Sequence, residues 1–204
     1  MESTLWAICG ESVMITLVVA TGNPGKLQEM QEYLQGLFWE LCLKPPELDI
    51  DETGLTFLEN AELKASQVAK ALGQWAIADD SGLAVDALDG APGLYSARYG
   101  TSDQNRIDRL LRELGDNPQR SAKFICAVAI ARPDGTIAAA VEGICPGEIL
   151  QQMRGEGGFG YDPIFYVPEY QQTFAEMTPE LKNQISHRGK AFEQMLPLME
   201  SLGV

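Results

Sequence analysis

The segment at residues 17–26, LVVATGNPGK, constrains this chain more than any other. A β-branched apolar run breaks at Gly22, Pro24 and Gly25, and Leu27, Met30, Leu34 and Leu37 then recur at helical spacing. A strand that turns through glycine straight into an amphipathic helix is the opening step of an α/β fold. It also puts Lys26 in the first turn of the helix, where free backbone N–H groups and the positive end of the dipole favour an anion. The spacing is not that of a P-loop. Only Asn23 and Pro24 separate Gly22 from the Gly25-Lys26 pair, and Leu27 stands where G-x-x-x-x-G-K-[ST] needs a hydroxyl. Alone, such a turn most often only reverses the chain.

The remaining elements follow in mixed order. The pattern predicts a strand over 15–20, a helix over 25–36, a second strand over 38–43 and a Pro-rich acidic loop over 44–54. Thr56 and Glu59 form a capping box, and Leu58, Ala61, Ala65, Val68, Ala69 and Leu72 give that helix its buried stripe. A short strand over 75–78 is expected to end at Asp79 and Asp80. Next come an irregular Gly-Pro loop over 90–93 and a helix over 102–114. Strands over 122–131 and 136–145 are joined by Pro-Asp-Gly, a hairpin signal. A strand over 164–167, a short helix opened by Thr178 and Pro179, and a last helix capped by Ser186 and ending near Leu202 complete the chain. This order predicts an α/β protein with a mixed sheet, and residues 14–204 read as a single domain.

The charge excludes some partners. A net charge of −14 argues against a nucleic acid polymer, whose binding draws on many Lys and Arg, whereas a small phosphate ligand needs only a few local cations. Cys9, Cys42, Cys126 and Cys145 form no C-x-x-C pair, and a single histidine leaves no Cys/His metal set, so reduced thiols in the cytosol are expected. There is no apolar stretch of membrane-spanning length. Residues 1–13 carry an early acid and no basic n-region, a poor signal peptide; they read as an N-terminal extension, with Met14 an alternative start.

Several residues could carry chemistry. Asp79 and Asp80, adjacent on an extended chain, point to opposite faces, so one can face a cleft while the other holds the backbone; capping Ser81 or Gly82 is the plain alternative. Glu52 lies in an acidic loop whose Glu47, Asp49 and Asp51 read as solvated surface. Lys64 flanks the buried stripe, where lysines ordinarily snorkel to solvent. Tyr161, between Gly160 and Asp162, has the look of a turn over the core. His187, beside Ser186, has helix capping or packing as its default role.

Four blocks acting together change the weight of these residues. With the turn at 17–26, IADDSGLAVDAL at 77–88, GGFGYDPIF at 157–165 and SHRGKAF at 186–192 resemble the inosine triphosphatase family, pyrophosphatases of nonstandard purine nucleoside triphosphates. The likeness runs from about Ile15 to the C-terminus, leaving residues 1–13 outside it. It implies an elongated mixed sheet with flanking helices, in two lobes around a cleft. It further implies hydrolysis of ITP, dITP and XTP to the monophosphate and pyrophosphate, a nucleotide-pool role in the cytoplasm, and a homodimer. Within the site, the resemblance makes Asp80 the general base and gives Glu52 and Asp80 to a metal. An all-oxygen set of this kind suits Mg²⁺, with Mn²⁺ able to substitute. Thr21, Gly22, Asn23, Pro24, Gly25, Lys26, Lys64 and Ser81 would contact substrate, with the two lysines on the triphosphate. Phe159 would stack on the base, in a block with Gly160, Tyr161 and Asp162, and Lys182, His187 and Arg188 would recognise the nucleotide. The chain departs from longer members after Ser96, Ala97, Arg98 and Tyr99, where Gly100 leads straight into Thr101-Ser102-Asp103. A Maf-like pyrophosphatase with another base preference, or a nucleotide-binding regulator that has lost catalysis, are the rival readings. The third and fourth blocks weigh against the first rival, and Glu52, Asp80 and Lys26 against the second.

Overall fold

In the computed structural model, which describes residues 15–35 and 39–202, one seven-stranded sheet organises the chain. The elements run β1 (Ile15–Val19), α1 (Pro24–Tyr33), β2 (Trp39–Leu43), α2 (Phe57–Leu72), β3 (Trp75–Val85), two 3-10 turns (Asp86–Leu88 and Gly93–Arg98), α3 (Asp103–Leu114), β4 (Ser121–Ala131), β5 (Ile137–Ile149), β6 (Phe165–Val167), β7 (Gln172–Thr173), α4 (Pro179–Ile185) and α5 (His187–Ser201). The strands are ordered β2-β1-β3-β4-β5-β6-β7, with β1 parallel to β2 and β3 and every later pair antiparallel. The α/β class and mixed sheet expected from the element order are therefore observed.

Alternation along the strands divides the core by face. Leu17, Val19, Ile77, Val128 and Ile130 pack with Met30 of α1 and Phe192, Met195 and Met199 of α5. Val18, Ala76, Ala78, Ala127 and Ala129 face the other way, onto Ala61, Ala65, Val68 and Ala69 of α2. Small side chains there let α2 lie close to the sheet. A third cluster fills the far half, where Leu83, Val85, Phe124 and Phe165 pack with Ile107 and Leu110 of α3. The capping box on α2 forms as its sequence requires, and Gly73 ends that helix in the left-handed region.

Three expectations are corrected. β3 does not end at the acids: it continues to Val85, and Asp79, Asp80 and Ser81 pair across the ladder with Val128, Ala127 and Cys126. Continuous antiparallel pairing satisfies the backbone there, and that outweighs the turn preference of Asp-Asp-Ser-Gly. β5 runs past Pro146 to Ile149, four residues beyond the expected end. Proline is tolerated because it opposes Lys123 on β4, while β6 joins the other edge only at Glu148 and Ile149. α1 stops at Tyr33, short of the expected end at 36, and the two-residue β7 had no sequence signal. The N-terminal extension, Met14, Gly36, Leu37 and Phe38 lie outside the described residues. Among the described residues no helix is long and apolar enough to cross a membrane.

Candidate active site

Because β3 carries its acids mid-strand, Asp79 and Asp80 serve opposite faces of the sheet. Asp80 shares a face with Ala76 and Ala78 and meets α2: Lys64 Nζ lies 2.9 Å from Asp80 Oδ1, and Asn60 Nδ2 donates to Oδ2 at 3.3 Å. Lys64 also reaches Glu52 Oε1 at 3.3 Å, and Arg98 Nη2 holds Glu52 Oε2 at 2.6 Å. The lysine is buried, against the ordinary expectation of a snorkelling surface residue. Burial opposes its charge, but Asp80, Asp79 and Glu52 outweigh that and hold its ammonium above the usual lysine range. Asp80, Lys64, Glu52 and Arg98 line a cavity of about 300 Å³, together with Thr21, Gly22, Asn23 and Lys26 of the first turn.

The turn itself is tied down. Asn23 caps α1, its Oδ1 accepting from Gly25 N at 2.9 Å and Lys26 N at 3.4 Å, and Thr21 Oγ1 accepts from Asn23 N at 3.2 Å. Two amides that the sequence leaves free for an anion are thus already satisfied by the cap, and the strongest positive charge at the turn is the Lys26 side chain.

Asp79 faces the other way and is the hub of a buried ion network. Its Oδ2 lies 2.9 Å from Lys26 Nζ and 3.1 Å from Arg188 Nη2. Arg188, 2% exposed, also donates to Ser81 Oγ at 3.1 Å and pairs through Nη1 with Glu29, while Lys182 bridges Glu29 (2.9 Å) and Asp162 (2.8 Å). Burial alone would raise the Asp79 pKa; Lys26, Arg188 and Lys64 overcome it and hold the carboxyl well below the usual carboxylate range. A carboxylate so firmly ionised, pinned between two cations, positions Lys26 and Arg188 and is not free to take a proton.

Asp162 also accepts from Phe159 N at 2.9 Å, which folds the glycine-rich loop back on itself. Gly158 makes this possible: its φ is 74°, and a Cβ there would stand 2.0 Å from Asp162 Oδ2. The half-buried Phe159 ring rests on the first turn, where a Cβ on Gly25 would meet it at 2.8 Å, and Lys182 Nζ lies 4.8 Å from the ring centroid. His187 stacks on Phe124 at 4.6 Å between centroids, and burial, with Arg188 and Lys182 adding to it, pushes its pKa well below the ordinary histidine value. Its imidazole is therefore neutral and packed, and its Nδ1 has no partner among the described residues. Tyr161 is buried and donates to Ser96 O at 3.0 Å, a turn over the core with one wall on the cleft. These side chains line a second cavity of about 80 Å³, which shares Asn23, Lys26, Ser81 and Ala97 with the larger one.

The site residues named from the sequence thus line one or other of these adjoining cavities, apart from Gly25, which lies under the Phe159 ring, and Pro24, whose side chain is outside the described residues. Sequence reasoning missed Glu29, Asn60 and Arg98. Glu29 follows Lys26 by one helical turn and so shares its face, which was a usable signal; Arg98 and Asn60 had none, since their partners are distant in sequence.

An open mixed sheet whose cleft holds a carboxylate-and-lysine chamber beside a small aromatic one has the makings of a site for a phosphorylated aromatic ligand. The chain belongs to the Ham1 family, whose profile matches residues 17–198. It is 67% identical over 186 residues to a dITP/XTP pyrophosphatase of a Nostoc species, covering 91% of this chain and 95% of that protein. It is 64% identical to the Synechocystis protein of the same name, covering 90% and 94%. Among solved structures, a HAM1 protein from Coxiella burnetii superposes with a TM-score of 0.85 at 44% identity, covering 92% of this chain and all of that one.

Proposed function

We propose that this protein hydrolyses deaminated purine nucleoside triphosphates, ITP, dITP and XTP, to the monophosphate and pyrophosphate with the help of a divalent cation. The chain is a nucleoside triphosphate pyrophosphatase by its family, and the curated relatives named for dITP and XTP support the finer substrate range. The observation that carries the reading is the pair of adjoining cavities joined at Lys26 and Ser81. A base fits beside Phe159 in the small one while a phosphate tail extends past Lys26 and Lys64 in the large one.

Glu52 and Asp80 would hold the cation. Among the described residues no group of three or more His, Cys, Asp or Glu converges, which suits Mg²⁺, an ion commonly held by one or two carboxylates with phosphate and water completing its shell. When bound it supplies positive charge to the phosphate oxygens. Mn²⁺ is expected to substitute. Asp80 accepts the proton of the attacking water as it adds in line to the α-phosphorus, and Lys64, already 2.9 Å from Asp80 Oδ1, orients that carboxylate. Lys26 and Lys64 stabilise the charge that builds on departing pyrophosphate. Phe159 stacks on the purine, and donors from Arg188 and Lys182 favour a carbonyl at C6 over an amino group. We read the working form as a cytoplasmic homodimer.

A panel of nucleoside triphosphates assayed for pyrophosphate release with Mg²⁺, and again with chelator, tests the reading. ITP, dITP and XTP should far exceed ATP and GTP, and chelator should abolish turnover. Release of orthophosphate in place of pyrophosphate, or equal turnover of ATP, would overturn it.

A further inference from the structure

Arg106 takes no part in the chemistry above, yet this α3 residue lines the same small cavity as Phe159, Lys182 and Arg188. The cations of that cavity differ in how far they are neutralised. Arg188 lies between Asp79 and Glu29, and Lys182 between Asp162 and Glu29. Arg106 has one carboxylate, Asp103, on its Nη1; that side chain is 47% exposed and is shared with Gly160 N, which donates to it at 2.7 Å. The Arg106 Nε–H is buried and has no acceptor among the described residues; that of Arg188 is in the same state, but its guanidinium already meets two carboxylates. Lys26, the remaining cation of the cavity, also has one carboxylate, but it is the fully buried Asp79. A buried donor without a partner, on a cation whose one carboxylate is half exposed, is where an acceptor atom of a ligand gains most.

We infer that Arg106 contacts the base and sets specificity by favouring a purine with a carbonyl at C2. The inference rests on the purine reading of this cavity. Arg188 comes from α5 and donates to Ser81, whereas Arg106 comes from α3, and both line the cavity, so a base held there has a guanidinium from each helix within its walls. Hypoxanthine offers only C–H at C2. Guanine offers an amino group, which would meet the Arg106 donor head on. Xanthine offers an oxygen, and its second carbonyl acidifies the ring enough that it sheds a proton near neutrality, so the base itself draws the guanidinium.

Calorimetric titration with the xanthosine and inosine monophosphates tests this without requiring turnover. The wild-type protein should bind the xanthosine nucleotide more tightly. Arg106→Gln should lose about 10- to 100-fold of that affinity, and about threefold or less for the inosine nucleotide. Arg106→Lys keeps the charge but lacks Nε, and should give an intermediate ratio; an unchanged ratio overturns the contact. Asp103→Asn should weaken both nucleotides in parallel. If Arg106→Gln also weakens both in parallel, or Asp103→Asn reproduces its selective loss, Arg106 acts only by holding the Gly160 loop and the inference fails. Binding with the expected preference but no triphosphate hydrolysis would sink the hydrolase reading and leave this one standing; binding of neither nucleotide would overturn this one.

Discussion

Replacing Asp79 by asparagine removes one charge and almost no volume, and its consequence can be worked from the geometry. The carboxylate is fully buried, with Lys26 at 2.9 Å and Arg188 at 3.1 Å from the same oxygen. Two unit charges a few ångströms apart attract by about 4 kcal/mol at an effective dielectric constant near 20, and much of this offsets the cost of burying the ions. Removing one partner leaves the opposite charges buried and uncompensated, a loss of about 3–5 kcal/mol. In a domain of this size that lowers Tm by roughly 6–20 °C. The sign of the pH dependence follows from the depressed pKa: Asp79 contributes stability that is present above the unfolded carboxylate pKa and fades as pH falls through the folded one. Scanning calorimetry of Asp79→Asn against wild type should therefore show a gap that is constant from pH 7 to about 4 and shrinks in stronger acid. Adding Arg188→Gln should return part of the loss, because the stranded cation is then gone. A variant that melts within about 2 °C of wild type at pH 7, or a gap that widens on acidification, would refute the hub.

Asp80→Asn should fold normally and lose about 10²–10⁴-fold in kcat, measured by pyrophosphate release; near-normal turnover would remove Asp80 from proton transfer. Lys64→Ala should depress triphosphate turnover and Lys64→Glu should depress it further, while binding of the monophosphate product suffers less; equal losses for both ligands would mean that this lysine does not meet the tail. Arg188→Ala should narrow the ITP to ATP ratio of kcat/KM, whereas Phe159→Ala should lower both values together, since a ring stacks on any purine. His187 is buried with a lowered pKa, so the unfolded chain takes up its proton first, and stability falls as pH drops below about 6.5 by up to ~1.4 kcal/mol per unit from this group. Urea midpoints of His187→Gln should fall less steeply than wild type over that window; parallel slopes would contradict the burial argument.

What the sequence determined is whatever depends on neighbours along the chain. The strand-turn-helix at 17–26, the Thr56-Glu59 capping box and the Pro-Asp-Gly hairpin are local, and each forms where its residues stand. Adjacency also required Asp79 and Asp80 to face opposite ways, because side chains alternate on any strand. Only the tertiary structure decided which acid met α2 and which met α5, since that depends on the partners each face of β3 acquires from Lys26, Lys64 and Arg188, which lie far apart in the chain. The length of β3 was settled in the same way, by ladder pairing with β4 that no local preference reports. Burial of Lys64, Lys182 and Arg188 was likewise invisible: a cation enters the interior only when carboxylates from distant segments arrive to meet it, and here Asp80, Asp162, Glu29 and Asp79 do so only once the sheet, α1, α2, α4 and α5 have packed together.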